Sequence, residues 1–188
     1  MPLNLPNLIT WLRIILIPLL VGIFYLPDAW LTFSAKNIAA SAVFVVAALS
    51  DWLDGYLARA LDQTSAFGAF LDPVADKLIV AAALVVLLQL ERVDAVVALI
   101  IIGREIAISA LREWMANIGK SKNVAVAFVG KVKTASQMIA IPLLLYHDDL
   151  LDSLNAQWLG TILINVAAVL TAISMLVYLR RALPHATG

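Results

Sequence analysis

The sequence predicts an all-α, polytopic membrane protein with six transmembrane helices. Hydrophobic residues make up 63% of the chain and charged residues only 14%, whereas a soluble domain is typically about half apolar. Six apolar stretches can be drawn along the 188 residues, and each approaches the roughly 20 residues that a spanning helix needs. Strands are not expected, because alternation is absent and open sheet edges are not tolerated in lipid. A single transmembrane domain is expected over residues 1–188.

Polar or helix-breaking residues separate the predicted helices. Pro27 and Asp28 end the first apolar run, and the segment ERVD at 91–94 separates the third from the fourth. The polar segment 117–123 ends the fourth run, and 147–153 separates the fifth from the sixth. The predicted helices cover residues 8–26, 36–60, 70–90, 94–117, 131–147 and 157–180.

The distribution of charge predicts an orientation and excludes some classes of protein. A formal net charge of zero does not indicate a nucleic-acid partner. The absence of cysteine excludes disulfides and thiolate metal sites. Of the 13 Lys and Arg residues, only Lys36 and Arg92 lie toward the side opposite the N-terminus. By the positive-inside rule, the side with the N-terminus, the turn at 60–69 and the loop at 118–130 is cytoplasmic.

Four carboxylates lie within the second and third apolar stretches, where ionisable groups are costly and usually functional. Asp51 and Asp54 are three residues apart, and Asp72 and Asp76 are four apart, so each pair shares a helical face. The short turn at 62–68 predicts that the two helices are antiparallel neighbours, which would bring the acids together. Four close carboxylates need cations nearby or protonation. Oxygen ligands favour Mg²⁺, Mn²⁺ or Ca²⁺, and four of them can hold two ions about 3.5–4 Å apart.

These acids belong to a longer pattern of polar and small residues. The pattern reads Asp51-x2-Asp54-Gly55-x2-Ala58-Arg59-x8-Gly68-x3-Asp72-x3-Asp76. It resembles the complete signature of the CDP-alcohol phosphotransferases. The resemblance implies the CDP-alcohol phosphotransferase fold of six membrane helices, with the site at the cytoplasmic face. It also implies transfer of a phosphatidyl-type group from a CDP-linked lipid to an alcohol, with release of CMP.

The resemblance also implies roles for individual residues. Two divalent ions, Mg²⁺ or Mn²⁺, would be held by four ligands, of which Asp76 is also the general base: Asp51, Asp54, Asp72 and Asp76. The CDP-lipid would be bound by Asn7, Thr10, Arg13, Gly55, Ala58, Arg59, Ser65 and Gly68. Arg59 offers a planar fork that matches phosphate oxygens. Alternatively, Gly55 and Ala58 allow close helix packing, and Asn7 and Thr10 cap the first helix.

A surplus of cations in the fourth and fifth predicted helices indicates an anionic acceptor. Arg104 and Arg112 lie within the fourth apolar stretch, and Lys131 and Lys133 open the fifth. An acceptor phosphate would explain them, whereas the alternative is anchoring at the cytoplasmic surface and contact with lipid headgroups. The segments GREIAISALREW and GKVKTASQM also resemble the bacterial branch of the family that uses sn-glycerol 3-phosphate. By that resemblance the four cations bind the acceptor phosphate, with inositol phosphate, phosphatidylglycerol and serine as alternative acceptors.

Two other classes of protein compete with this interpretation. A cation transporter would use intramembrane carboxylates, but it leaves Arg59 and the later cations without a purpose. A structural membrane scaffold has no need of the signature. The resemblance further implies CDP-diacylglycerol, glycerol 3-phosphate and membrane lipids as partners, without nucleic acid, and a homodimer. It places the chain in the bacterial inner (cytoplasmic) membrane, with its active site facing the cytoplasm.

Overall fold

Six α-helices make up most of the protein in the computed structural model. The structure describes residues 5–60, 66–117, 128–151 and 154–182. The helices are α1 (Leu5–Ile23), α2 (Phe33–Ala60), α3 (Ala66–Gln89), α4 (Ala95–Asn117), α5 (Phe128–Tyr146) and α6 (Ala156–Ala182). The six predicted helices are confirmed, and their ends lie within about one turn of the predicted positions.

A small two-stranded sheet lies between α5 and α6. Strand β1 (Asp149–Leu151) pairs antiparallel with β2 (Leu154–Asn155). These strands differ from the expectation of a purely helical chain, because the polar segment 147–153 is too short to show alternation. The side chain of Asn155 accepts a hydrogen bond of 2.9 Å from the N–H of Trp158, so the second strand ends in a residue that caps α6.

The strongest helix–helix contacts join the six helices into a ring. α1 packs against α2, α2 against α5, α5 against α6, α6 against α4, α4 against α3, and α3 against α1. The contact between α2 and α3 is smaller than the contact of either helix with α1. α2 and α3 are in contact, as predicted, and α1 lies beside both of the helices that carry the acids.

Small side chains allow the helices to approach closely in the interior. Ala40, Ala47 and Ala83 are completely buried, and small residues are typical of closely packed membrane helices. α5 and α6 approach closely at Gly160, where a Cβ atom would lie 2.8 Å from Cγ of Leu144. The contact between α5 and α6 therefore requires glycine at this position.

Large apolar side chains also cover the outside of the bundle. Leu99 is 72% exposed and Trp158 is 68% exposed, and an apolar exterior of this extent is typical of membrane association. Within the part of the chain that the structure describes, two helical segments are long and apolar enough to cross a membrane by length and composition, Phe33–Asp51 and Ala156–Arg180. In α3 and α4 the apolar character is lowered by charged side chains that belong to the site described below.

The chain leaves α3 through a left-handed residue that is not glycine. Glu91 has a φ of 58°, and its N–H donates to the carbonyl of Leu88 at 3.1 Å. The N–H of Arg92 donates to the carbonyl of Leu87 at 2.9 Å. These two bonds form a Schellman motif, which normally places glycine at the left-handed position. The turn positions the side chain of Arg92, which is buried.

Candidate active site

α1 presents two polar side chains to the predicted metal-binding acids. Thr10 and Arg13 are three residues apart and therefore project from one side of the helix. Thr10 Oγ1 donates a hydrogen bond of 2.6 Å to Asp72 Oδ1. Arg13 Nη1 donates to Asp76 Oδ1 at 2.6 Å and lies 3.3 Å from Asp51 Oδ1. The acids of α2 and α3 thus meet at a polar face of α1.

The guanidinium of Arg13 offsets the repulsion between Asp51 and Asp76. The Arg13 side chain is completely buried, whereas those of Asp51 and Asp76 are 45% and 37% exposed. One oxygen from each carboxylate lies within 3.3 Å of the same nitrogen, and a cation so close stabilises both charged forms. The sequence predicts Arg13 as a ligand of the CDP-lipid. The structure places it on the acids that are predicted to hold the metal ions.

The acids supply the ligand type that a hard divalent cation prefers. Asp51, Asp72 and Asp76 offer carboxylate oxygens, which suit Mg²⁺ and Mn²⁺. Among the side chains that the structure describes, no three metal-ligating groups stand close enough together to hold an ion. The side chain of Asp54, the fourth predicted ligand, lies outside that set. The donor chemistry therefore fits the predicted ions, and in the structure the cation between Asp51 and Asp76 is Arg13.

A second charged group comes from α4 and α5. Glu105 Oε1 accepts hydrogen bonds from Arg104 Nη1, at 3.0 Å, and from Lys133 Nζ. Arg104 and Lys133 are almost wholly buried, with exposures of 7% and 3%. One carboxylate therefore holds two desolvated cations in place and neutralises only one of their two charges.

Tyr178 of α6 lies between the two predicted arginines of α4. Its hydroxyl accepts a hydrogen bond of 3.1 Å from Arg112 Nη2. The guanidinium carbons of Arg104 and Arg112 lie 5.8 and 5.6 Å from the centre of its ring, within the range of cation–π attraction. The aromatic ring therefore positions both arginines, although they are eight residues apart along α4.

One cavity connects the acids with the cations. Its volume is about 370 Å³, which lies within the usual range of roughly 300–1,000 Å³ for small-molecule sites. The charged and amide side chains in its wall are Asp51, Asp76, Lys77, Arg104, Glu105, Arg112, Lys133 and Gln137. Lys77 also donates a hydrogen bond to Ser109 Oγ of α4. A small molecule in this cavity would meet carboxylates and cations at once.

The predicted residues whose side chains the structure describes form two groups, and Lys131 belongs to neither. Thr10, Arg13, Asp51, Asp72 and Asp76 lie together, and Arg104, Arg112 and Lys133 line the cavity beside them. Lys131 is exposed on α5 and does not line this cavity. The structure describes no side chain for the remaining predicted residues, Asn7, Asp54, Gly55, Ala58, Arg59, Ser65 and Gly68.

Three residues of the site are not predicted from the sequence: Lys77, Glu105 and Tyr178. For Gln137 the sequence favours a helix–helix hydrogen bond, with a role at the acceptor site as the alternative. Lys77 and Glu105 each adjoin a predicted residue in the sequence, which is a signal for them. The alternative for Gln137 follows from its position one helical turn after Lys133. Tyr178 offers no such signal, because only the packing of α6 on α4 brings it to the arginines.

Comparison with known proteins identifies the family. The family model for CDP-alcohol phosphatidyltransferase matches residues 3–177. The chain is 49% identical to the CDP-diacylglycerol–glycerol-3-phosphate 3-phosphatidyltransferases of Escherichia coli (strain K12) and Shigella flexneri, and 48% identical to that of Salmonella choleraesuis (strain SC-B67). Each match covers 97% of this chain and 96% of the relative. With similarity along nearly the whole chain, and with acids from α2 and α3 meeting at one cavity, the chain belongs to the CDP-alcohol phosphatidyltransferase family.

Proposed function

We propose that this chain transfers the phosphatidyl group of CDP-diacylglycerol to sn-glycerol 3-phosphate, giving phosphatidylglycerophosphate and CMP. The relatives that are 48–49% identical carry this activity in their names. The single observation that carries the proposal is the cavity of about 370 Å³, whose wall contains both Asp76 and four cationic side chains. One small acceptor can therefore reach a base with its hydroxyl and cations with its phosphate, and such positioning removes much of the entropic barrier of a two-substrate reaction.

The acceptor phosphate would be bound by Arg104, Arg112 and Lys133. The two arginines provide planar, bidentate donors, and Tyr178 restricts their orientation. Glu105 holds Arg104 and Lys133 together before the acceptor enters. Because Arg104 and Lys133 are buried, their attraction for a phosphate is screened less than at a free surface. Lys131 is also predicted to bind the acceptor phosphate, but its side chain is exposed and does not line the cavity.

Asp76 would act as the general base. The oxygen of the primary hydroxyl attacks the phosphorus that carries the diacylglycerol, and a new P–O bond forms. The bond from that phosphorus to the oxygen of CMP breaks, and Asp76 takes the hydroxyl proton. Arg13 donates to Asp76 at 2.6 Å and so holds this carboxylate in a fixed orientation.

Two divalent ions, Mg²⁺ or Mn²⁺, would be held by Asp51, Asp54, Asp72 and Asp76. When bound, they would neutralise the negative charge that develops on the departing CMP phosphate. Thr10 orients Asp72 through its hydrogen bond of 2.6 Å. The CDP-lipid contacts predicted for the signature and for the start of α1 complete the proposed donor site.

We also propose that the chain is a single domain with all six helices in the bacterial inner membrane and the cavity at the cytoplasmic face. The apolar exterior of the bundle and the side on which most Lys and Arg residues lie support this orientation. A homodimer is expected from the family resemblance. Cysteine-accessibility labelling at the loop 118–130 in intact cells and in inverted vesicles would test the orientation.

The function can be tested with purified protein in detergent micelles. With CDP-diacylglycerol and Mg²⁺ present, radiolabel from sn-glycerol 3-phosphate should pass into the organic phase, and CMP should appear in equal amount. Omission of Mg²⁺ with added chelator should stop the transfer. The proposal is wrong if the label stays water-soluble under the complete conditions.

A panel of acceptors separates the proposed reaction from the same chemistry with another alcohol. Serine, inositol phosphate and phosphatidylglycerol should compete poorly with sn-glycerol 3-phosphate. The cations of the cavity wall disfavour serine most, because serine carries no phosphate for them to bind.

A further inference from the structure

We infer that the side-chain amide of Gln137 hydrogen-bonds a hydroxyl of the acceptor that does not react, and that this contact selects a hydroxyl-bearing phosphate. The inference rests on the proposed function and adds a specificity-determining residue to it. In sn-glycerol 3-phosphate the group concerned is the secondary hydroxyl, which stands between the phosphate-bearing carbon and the reacting primary hydroxyl.

Gln137 is a buried polar residue that lines the cavity, and one atom of its side chain is unsatisfied. It lies on α5 one turn after Lys133, and only 3% of its surface is exposed. Its Oε1 has no hydrogen-bond partner within the part of the chain that the structure describes. Buried amide oxygens are nearly always bonded, and leaving one unbonded is unfavourable. A ligand that completes this bond would remove the penalty.

Another residue that lines the cavity has a buried atom of the opposite type that is unbonded within the described chain. Arg104 Nε is a donor, and it has no hydrogen-bond partner among the described residues. Arg104 and Gln137 both line the cavity. A molecule that carries an anionic oxygen and a hydroxyl would satisfy the donor with the first and the amide with the second. A hydroxyalkyl phosphate has this combination of groups.

The charges of the wall decide which end of the acceptor faces which residue. Arg104, Arg112 and Lys133 attract the phosphate, whereas Gln137 is neutral and gains nothing from a full negative charge. The amide can both donate and accept, as a hydroxyl can. A site that bonds a substrate hydroxyl discriminates against the analogue without it, because its own buried group is then left unpaired.

The test compares two acceptors that differ only in this hydroxyl. sn-Glycerol 3-phosphate and 3-hydroxypropyl phosphate share the phosphate and the primary hydroxyl. The wild-type protein should show a kcat/KM about tenfold or more in favour of glycerol 3-phosphate, the ratio expected for one buried hydrogen bond. Gln137→Met has a similar volume without the amide, so it should lose most of this preference through a lower kcat/KM for glycerol 3-phosphate alone.

Matched controls separate a contact with the acceptor from a structural role. Ser136→Ala alters the neighbouring buried residue on α5, which does not line the cavity, and should keep the wild-type preference. Inhibition by inorganic phosphate should be equal in wild-type protein and Gln137→Met, because the phosphate binds at the cations. Should Gln137→Met not fold, Gln137→Leu repeats the comparison.

Three results would overturn the inference. They are an equal loss of kcat/KM on both acceptors in the Gln137 variants, no loss on either, and a wild-type protein without preference for the hydroxylated acceptor. Each of these leaves the proposed function intact, provided that glycerol 3-phosphate is used. A wild-type protein that uses neither acceptor contradicts the proposed function itself.

Discussion

Both ends of the helical bundle bury arginines, but the partners of those arginines differ. At the end away from the acids, Arg92 Nη1 donates to the carbonyls of Leu144 and Leu145 at 3.1 and 2.8 Å, and Nη2 donates to Asn37 Oδ1 at 2.9 Å. At the other end, Arg104 bonds the carboxylate of its neighbour, and its Nε has no partner among the described residues. The guanidinium of Arg92 is bonded to carbonyl oxygens of the protein. Arg104 lines a cavity and keeps a donor, Nε, that is unbonded among the described residues.

The difference separates a structural cation from one that is available to a ligand. Arg92 closes the C-terminal end of α5, where carbonyls have no partner within the helix. Burial lowers the pKa of Arg92 below its ordinary value, and the nearby Asp148 opposes this shift. Lys36 is similar, because its Nζ donates to the carbonyl of Leu26 and to Asp28, both at 2.6 Å. These are the two basic residues that the sequence places on the side opposite the N-terminus, and both are bonded within the protein.

The largest effect on activity should come from the acidic end. Asp76→Asn should lower kcat by about 10²–10⁴-fold, since an amide cannot take the hydroxyl proton. Binding of CDP-diacylglycerol should be partly retained, because the other predicted metal ligands remain. Turnover and equilibrium binding of the CDP-lipid can both be measured in micelles. Equal loss of the two would contradict the role of Asp76 as a base.

At the end of the bundle away from the acids, a substitution should change the stability of the fold and not the reaction. Arg92→Met should lower the free energy of unfolding by about 3 kcal/mol, because it leaves two helix-terminal carbonyls and the amide of Asn37 without their donor. The unfolding midpoint in detergent reports this loss. The folded fraction should keep the wild-type KM for both substrates.

Arg180→Met, which replaces an exposed arginine, is the matched control and should change the midpoint little. If Arg92→Met instead raised the KM for an acceptor without loss of stability, the distinction between the two ends would fail.

A smaller effect is expected from the arginine that Tyr178 orients. Arg112→Ala should raise the KM for glycerol 3-phosphate by about 10–100-fold, the range for one charged hydrogen-bonding group, with little change in the KM for the CDP-lipid. Tyr178→Phe removes only the hydroxyl that accepts from Arg112 at 3.1 Å and should give a weaker shift in the same direction. Steady-state kinetics with each substrate varied in turn would show it. A larger rise in the KM for the CDP-lipid would move Arg112 to the nucleotide site.

The smallest effect should be a gain in stability beside Arg92. Glu91→Gly should stabilise the protein by about 0.5–1 kcal/mol, because a left-handed φ is unfavourable for a residue with a Cβ atom. Glu91→Ala removes the same charge but keeps the Cβ atom, so it should give no such gain. Unfolding midpoints of the two variants separate backbone strain from charge. Equal midpoints would mean that the turn carries no strain of this kind.

Features that depend on neighbours along the chain were predictable. The six helices follow from apolar stretches and the polar segments between them, and the paired faces of Asp51 with Asp54 and Asp72 with Asp76 follow from helical spacing. The family follows from the same residues. Lys131 shows the limit of this reasoning. It lies two positions before Lys133 on the same helix and therefore on a different face, so Lys131 is exposed whereas Lys133 is buried.

Periodicity and residue chemistry alone therefore specified the helices, the acids and the surplus of cations, because each is a local property of the chain. Which side chains meet across helices depended on packing. The ring of helices places Arg13 of α1 between acids of α2 and α3, and Tyr178 of α6 between the arginines of α4. The same packing leaves the amide of Gln137 at the wall of the cavity. These pairings span tens of residues of sequence, and no local pattern encodes them, because they arise only when separate helices bury their surfaces against one another.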